Sequence, residues 1–341
     1  MIARVANGSR RVAITGLGTY APERVLTNDD LARLVDTTDE WIVERTGIRE
    51  RRIAEPAQAA SDVALPAARG ALERAGIAPA EVDLLIVATA TPDMFFPATA
   101  SLVAGELGAE NAAAYDLSAG CTGFVYALAQ AYAAVAGGLF EKVLVVGSET
   151  LSKITNWHDR STCILFGDGA GAVVLEAVPE GGFLGFELGS DGSGGADLCL
   201  PGGGSRAPVT EQTISQELHF ITMNGPEIFR FATRVMVRSA EALLAACGLT
   251  IDDVDLYVPH QANKRIIDHA AKDLGLPPEK VMVNIDRYGN TSSASIPLAL
   301  ADALAAGSLT PGATVLLTGV GAGLTWGSTV LTWVDANGGS R

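Results

Sequence analysis

The feature that most constrains this chain is that it is written twice. Residues 62–91 read as an amphipathic helix, a glycine stop, an acidic turn and an apolar strand, and residues 234–263 repeat the plan. Gly76 stands seven residues before Asp83, and Gly248 stands seven before Asp255. Each strand then runs into a polar segment: Ala88-Thr89-Ala90-Thr91 in one copy, His260-Gln261-Ala262-Asn263 in the other. Ala113-Ala114-Tyr115-Asp116 leads to Gly120-Cys121 and a helix rich in Ala and Leu; Val283-Asn284-Ile285-Asp286 leads to Gly289-Asn290 and another. Lys142 to Gly147 is answered by Thr314 to Gly319. The pairs keep an offset of 169–172 residues, far too long for a solenoid. An internal duplication follows, with two similar α/β halves at 1–178 and 179–341.

The patterning says how such halves pack. Stretches 84–87, 143–146 and 315–317 are continuous apolar runs rather than alternating ones. That suits strands buried on both faces with helices outside. Residues 127–136 are apolar nearly all round and suit a helix held between two sheets. A five-layer α-β-α-β-α arrangement is predicted, its central helices shared. Segment 181–222 is Gly-rich, with Pro201-Gly202-Gly203-Gly204 and no helical period, and predicts a loop-rich insertion in the second half. Phe166 to Gly171 is also Gly-rich but precedes a strand, which points to a hairpin turn rather than a phosphate loop.

Composition narrows the function classes. A formal charge of −15 leaves no whole-protein electrostatic footprint for nucleic acid. No apolar run reaches the roughly 18 residues of a membrane span. The first eleven residues lack the apolar block of a signal peptide, so a cytoplasmic location is expected. The four cysteines, Cys121, Cys163, Cys199 and Cys247, have no C-x-x-C spacing, which argues against zinc and disulfides.

In open α/β sheets ligands gather at the carboxyl ends of strands. Cys121, His260 and Asn290 all read as lying at such ends, and a pseudo-twofold axis would bring them together. A thiol opening a helix feels the positive end of the macrodipole, which is expected to lower its pKa. Gly120 and Gly123 allow a tight turn. Thiolate attack on a thioester keeps the acyl group activated. His260 and Asn290 are donors that could hold the oxygen of a thioester enolate. A second oxyanion site is expected from Gly321 and Ala322, in the loop after the strand at 314–319. Cys163, Cys199 and Cys247 read as core residues, and His158, His219 and His269 as local hydrogen-bonding groups. Asn290 on its own could be a turn residue.

Several segments together resemble the β-ketoacyl-acyl-carrier-protein synthase III family, the initiating condensing enzymes of bacterial fatty-acid synthesis in the thiolase superfamily. They are TTDEWIVERTGIRER (37–51), AGCTGF (119–124), FGDGAGA (166–172), VPHQAN (258–263), YGNTSSAS (288–295) and GAGLTWGS (321–328). The resemblance implies a thiolase-like fold and a Cys-His-Asn triad at Cys121, His260 and Asn290. It implies an acyl-CoA primer, malonyl-acyl-carrier protein as second substrate, no permanently bound cofactor and a homodimer. It implies CoA adenine between Trp41 and Arg160, with Thr37, Arg45 and Asn263 along the CoA arm. Phe166 and Val320 would line the acyl pocket, and Phe96 would reach the partner's pocket and favour a short primer such as acetyl. An acidic carrier protein would dock on Arg230, Arg234, Arg265 and Lys272. Arg230, Arg234 and Arg238 recur at four-residue spacing, which puts them on one helix face.

This sequence departs from the family at two places: Val320 stands where an aromatic is frequent, and Ala322 where Gly is. Three rival readings remain: a relative acting in secondary metabolism or polyketide priming, a thioester hydrolase, and a non-catalytic partner subunit. The last typically loses its nucleophile, whereas all three triad positions are filled here.

Overall fold

In the computed structural model, which describes residues 1–5 and 10–334, the continuous apolar runs become the middle strands of two five-stranded sheets. The strands are β1 (Ile2–Arg4), β2 (Val12–Tyr20), β3 (Leu84–Ala88), β4 (Ala113–Leu117), β5 (Lys142–Glu149), β6 (Gly169–Ala177), β7 (Gly182–Ser190), β8 (Leu256–Pro259), β9 (Thr314–Gly321) and β10 (Thr325–Thr332). One sheet has the order β2-β6-β5-β3-β4 and the other β1-β7-β10-β9-β8. β3 is parallel to β4 and β5, β8 is parallel to β9, and the remaining pairs are antiparallel. The helices that position the site are α1 (Asp39–Thr46), α2 (Ala60–Ala75), α3 (Thr99–Leu107), α4 (Gly123–Ala136), α5 (Gly225–Cys247), α6 (Lys264–Leu274) and α7 (Ser295–Ala305).

The five layers are visible in the cores. Residues of α4 and α7 share one apolar cluster with the inner faces of both sheets. Helices α2 and α3 cover the outer face of the first sheet, α5 and α6 that of the second. Fully buried strands such as Leu84–Ala88 explain why the sequence shows no alternation there. The two glycine stops read from the repeat are left-handed helix ends: Gly76 closes α2 at φ +70° and Gly248 closes α5 at φ +73°. Gly171, on β6, meets α7 so closely that an added Cβ would lie 2.5 Å from the Cβ of Pro297. None of the described helices is long and apolar enough to cross a membrane.

Four expectations need correction. Residues 182–190, expected to open a loop-rich insertion, are the strand β7, paired on both sides. Its glycines hid a run whose Phe183 and Phe186 are buried in the shared core. The irregular part begins after it and holds only short elements, such as Leu198–Cys199 and Glu211–Ser215. The N-terminal strand β1 joins the second sheet rather than the first. The expected counterpart of β4 near Val283 is reduced to a single bridge, Tyr257 with Val281, followed by the short helix Ile285–Tyr288. Finally, the Gly-rich segment after Phe166 is no tight hairpin, because β5 ends at Glu149 and Gly169 and Gly171 lie within β6 itself.

Candidate active site

The ends of the two halves meet around a cavity of about 690 Å³ lined by Cys121, His260 and Asn290. Each arrives by a different local route.

Cys121 sits in the tight turn Gly120–Thr122 between β4 and α4. Gly120 has φ +53°, and a Cβ there would lie 2.8 Å from the Ala322 nitrogen. A Cβ on Gly321 would lie 2.5 Å from the Cys121 nitrogen. Backbone therefore touches backbone, and the loop expected to supply an oxyanion site lies against the nucleophile's turn. Burial pushes the Cys121 thiol up to about 11; a hydrogen bond with Ser292 opposes the rise and the nearby Glu149 carboxyl adds to it. This reverses the expectation from the helix terminus. A macrodipole contributes at most about 2 kcal/mol, or about 1.5 pH units. Desolvation of the sulfur outweighs it.

His260 follows β8, and its N–H donates to the Thr318 carbonyl on β9 at 2.7 Å. The ring is buried, with Nδ1 2.6 Å from the Ser295 hydroxyl oxygen. Burial pushes the imidazole down to about 3, so it is uncharged at neutral pH. Asn290 bridges to Phe166 in β geometry: its N–H donates to Leu165 O at 2.8 Å, and its carbonyl accepts from Gly167 N–H at 3.0 Å. Its Oδ1 accepts the Ser292 N–H at 2.9 Å. That bond assigns the amide orientation and leaves the NH2 as the free end. Ser292 holds φ +48°, a conformation uncommon outside glycine and one that clusters at functional sites.

Close enough to act on the Cys121 charge, Glu149 ends β5 as a buried carboxyl. It accepts from Ser293 Oγ at 2.6 Å, Ala90 N–H at 3.0 Å and Thr91 Oγ1 at 3.0 Å. Burial holds it above the usual carboxylate range. These bonds join the strand end of the first half to the start of α7 in the second.

The other expected site residues divide into groups. Trp41, Arg45, Asn263, Phe166, Val320, Arg230 and Arg265 line the cavity with the triad. Asn263 caps α6, accepting from Arg265 N–H at 2.9 Å, and donates through Nδ2 to Arg45 O at 3.1 Å. The guanidinium carbons of Arg45 and Arg160 lie 4.6 and 4.9 Å from the Trp41 ring centroid. A stacked adenine needs a gap of about 7 Å, two van der Waals layers, so Arg160 must swing away to admit one. Arg160 is tethered meanwhile to Asp36 O at 2.8 Å. Thr37 does not line the cavity, and its hydroxyl is buried without a partner among the described residues. Phe96 is 85% exposed, beside exposed Met94 and Phe95, and is not part of the cavity wall. Arg230 pairs with Glu227 and shares an outer groove with Arg234, Asp191 and Asp197. Arg238 lies over the Trp326 ring and Arg265 over Phe229. Lys272 is exposed on α6, away from the cavity lining.

Sequence reasoning missed Ser295 and Ser292, which bond His260 and Asn290, and the buried pair Glu149 and Ser293 beside them. A signal was present, since three serines, Ser292, Ser293 and Ser295, stand at and just before the start of the mostly apolar α7, and polar groups placed there must find partners when buried.

Comparison with known proteins agrees along the length of the chain. Residues 115–192 match the family model described as 3-oxoacyl-[acyl-carrier-protein (ACP)] synthase III, and residues 244–333 match the model of its C-terminal part. A β-ketoacyl-[acyl-carrier-protein] synthase III of Symbiobacterium thermophilum is 57% identical over 325 residues, 95% of this chain and 98% of that protein. The crystal structure of 3-oxoacyl-[acyl-carrier-protein] synthase III from Aquifex aeolicus superposes with a TM-score of 0.89 at 44% identity, covering 94% of this chain and 100% of that one. The priming β-ketosynthase of the R1128 polyketide pathway superposes with a TM-score of 0.90 at 39% identity, covering 98% and 99%.

Proposed function

The chain belongs to the 3-oxoacyl-[acyl-carrier-protein] synthase III family, and on that premise we propose that Cys121, His260 and Asn290 are the groups through which it works. It is an acyltransferase of thiolase-like fold that catalyses the initiating condensation of fatty-acid synthesis, joining an acyl-CoA primer to malonyl-acyl-carrier protein. The observation that carries the residue assignment is the single cavity on which all three side chains open.

In the first half-reaction the Cys121 sulfur attacks the primer carbonyl. A C–S bond to Cys121 forms, the C–S bond to CoA breaks, and the proton leaving Cys121 ends on the CoA sulfur. In the second, the malonyl thioester loses CO2. The electron pair becomes an enolate whose oxygen is held by His260 and the Asn290 NH2. The enolate carbon then attacks the acyl-Cys121 carbonyl, and Cys121 departs as the thiolate. Two fixed donors in a dry site lower the barrier where charge develops. The Gly321–Ala322 loop is the proposed support for the oxyanion of the attack steps, on the strength of its contact with the Cys121 turn.

Acyl-CoA and malonyl-acyl-carrier protein enter as substrates, and no resident cofactor is part of the reading. CoA is proposed to bind along Trp41, Arg45, Asn263 and Thr37, with Arg160 swinging to close on the adenine. Phe166 and Val320 are proposed acyl-pocket walls, Phe96 a contribution to a partner subunit's pocket in a homodimer, and acetyl the primer. The exposed apolar run Met94, Phe95, Phe96 supports the dimer. Arg230, Arg234, Arg265 and Lys272 are the proposed carrier-protein face, a cytoplasmic location completes the reading, and 1–178 and 179–341 are its two halves. A panel of acyl-CoA primers with malonyl-carrier protein tests it: acetyl-CoA should give a ketoacyl product and CO2, and release of free acid alone would mean a hydrolase.

A further inference from the structure

Resting on that reading, we propose that Ser295 is a positioning residue which donates its hydroxyl proton to His260 Nδ1 and so keeps the ring proton on Nε2, facing the cavity. A hydrogen-bond census around one oxygen carries it. Ser295 Oγ lies 2.6 Å from His260 Nδ1 and accepts the Gln261 backbone N–H at 3.3 Å. It makes no other hydrogen bond among the described residues, and Ser295 is 2% exposed. Were Nδ1 protonated, that oxygen would accept two N–H groups and its own proton would be buried with nowhere to go. With Nδ1 as acceptor, every proton has a partner.

The Gln261 N–H cannot readily turn elsewhere, because its side chain is anchored at three points. Nε2 donates to Pro259 O at 2.8 Å and to Met282 O at 3.2 Å, and Oε1 accepts from Asn284 N–H at 3.0 Å. His260 Nε2 has no partner among the described residues, and the ring lines the cavity. The imidazole is also buried and uncharged, so it carries a single proton whose site the serine decides. His260 is then a donor toward the substrate and has no lone pair to offer the Cys121 thiol. Ser295 acts on enolate formation and leaves acyl transfer alone.

The chain has four histidines, so the wild-type enzyme labelled with 15N-histidine gives a tractable spectrum, His260 being assigned by its loss in His260→Gln. The expected result between pH 6 and 8 is a protonated Nε2 and an unprotonated Nδ1; a protonated Nδ1 overturns the proposal. The kinetic arm uses Ser295→Ala. Acetyl transfer from acetyl-CoA to Cys121 should stay within about twofold, while condensation with malonyl-carrier protein falls about 10–100-fold, as loss of a correctly held donor entails. Equal loss in both steps, or no loss in either, overturns it. If the variant does not fold, the wild-type spectrum decides. Failure of the wild type to accept an acetyl group would instead sink the assignment of Cys121, and the spectrum would still judge Ser295.

Discussion

The corner that each half contributes differs more than the scaffolds behind them. In the first half, β4 runs directly through a tight turn into α4, and the product is one thiol on the cavity wall, carried by a turn whose backbone packs against Gly321 and Ala322. In the second half the strand equivalent to β4 has shrunk to one bridge. The chain instead enters α7 through a short helix, Asn290 and a cluster of serines, and the product is two donors held by hydroxyl and backbone bonds. A duplicated frame has thus been specialised by its loops: one corner is shaped for attack, the other for stabilising charge. The lesson is that the repeat predicts where chemistry gathers, and the departure from the repeat tells which chemistry.

The sharpest way to break this comparison is to remove one corner at a time. Cys121→Ala should abolish acyl transfer, a loss of at least about 1,000-fold, yet leave some decarboxylation of malonyl thioester by the other corner. Asn290→Ala should still become acylated but lose about 100–1,000-fold in decarboxylation, measured as CO2 release. An Asn290→Ala protein that folds and cannot be acylated would merge the two corners into one.

Acidity sharpens the contrast. Because burial pushes the Cys121 thiol up to about 11, its ionised fraction grows about tenfold per pH unit across neutrality. Single-turnover acyl transfer should therefore climb between pH 7 and 9. His260, pushed down to about 3, stays uncharged over the same range and adds no inflection to condensation from acylated enzyme between pH 5 and 8. A flat acylation profile would mean a thiolate already formed at pH 7.

Smaller effects probe the periphery. Trp41→Ala should raise the KM for acyl-CoA about 5–30-fold with little change in kcat, the size of a lost cation–π and stacking contact. Gly171→Ala should leave both half-reactions intact and cost about 1–3 kcal/mol of stability by thermal unfolding, since its Cβ would press on Pro297 between the two halves.

Much of this was legible in the sequence because it is written in patterns that sequence keeps. Continuous apolar runs announced β3, β5 and β9, and paired glycines announced the ends of α2 and α5. Cys121 and Asn290 stood at matching places in the repeat, and His260 at the end of a repeated strand. Strand β7 was missed because Gly182, Gly185 and Gly189 dilute its apolar signal, although close packing requires small residues there; a Cβ on Gly185 would lie 2.7 Å from Cys247 Sγ. The rise in the Cys121 pKa was not legible, since desolvation depends on what surrounds the sulfur and those groups come from distant segments. The same holds for Glu149 and Ser293, 144 residues apart yet bonded at 2.6 Å.

The division of labour rests first on the sulfur, and one measurement addresses it directly: the intact mass of folded protein after incubation with acetyl-CoA, followed by peptide mapping. The expected result is a gain of one acetyl group per chain, located on Cys121 and absent in Cys121→Ala. No gain in folded protein, or an acetyl group on another residue, would contradict it.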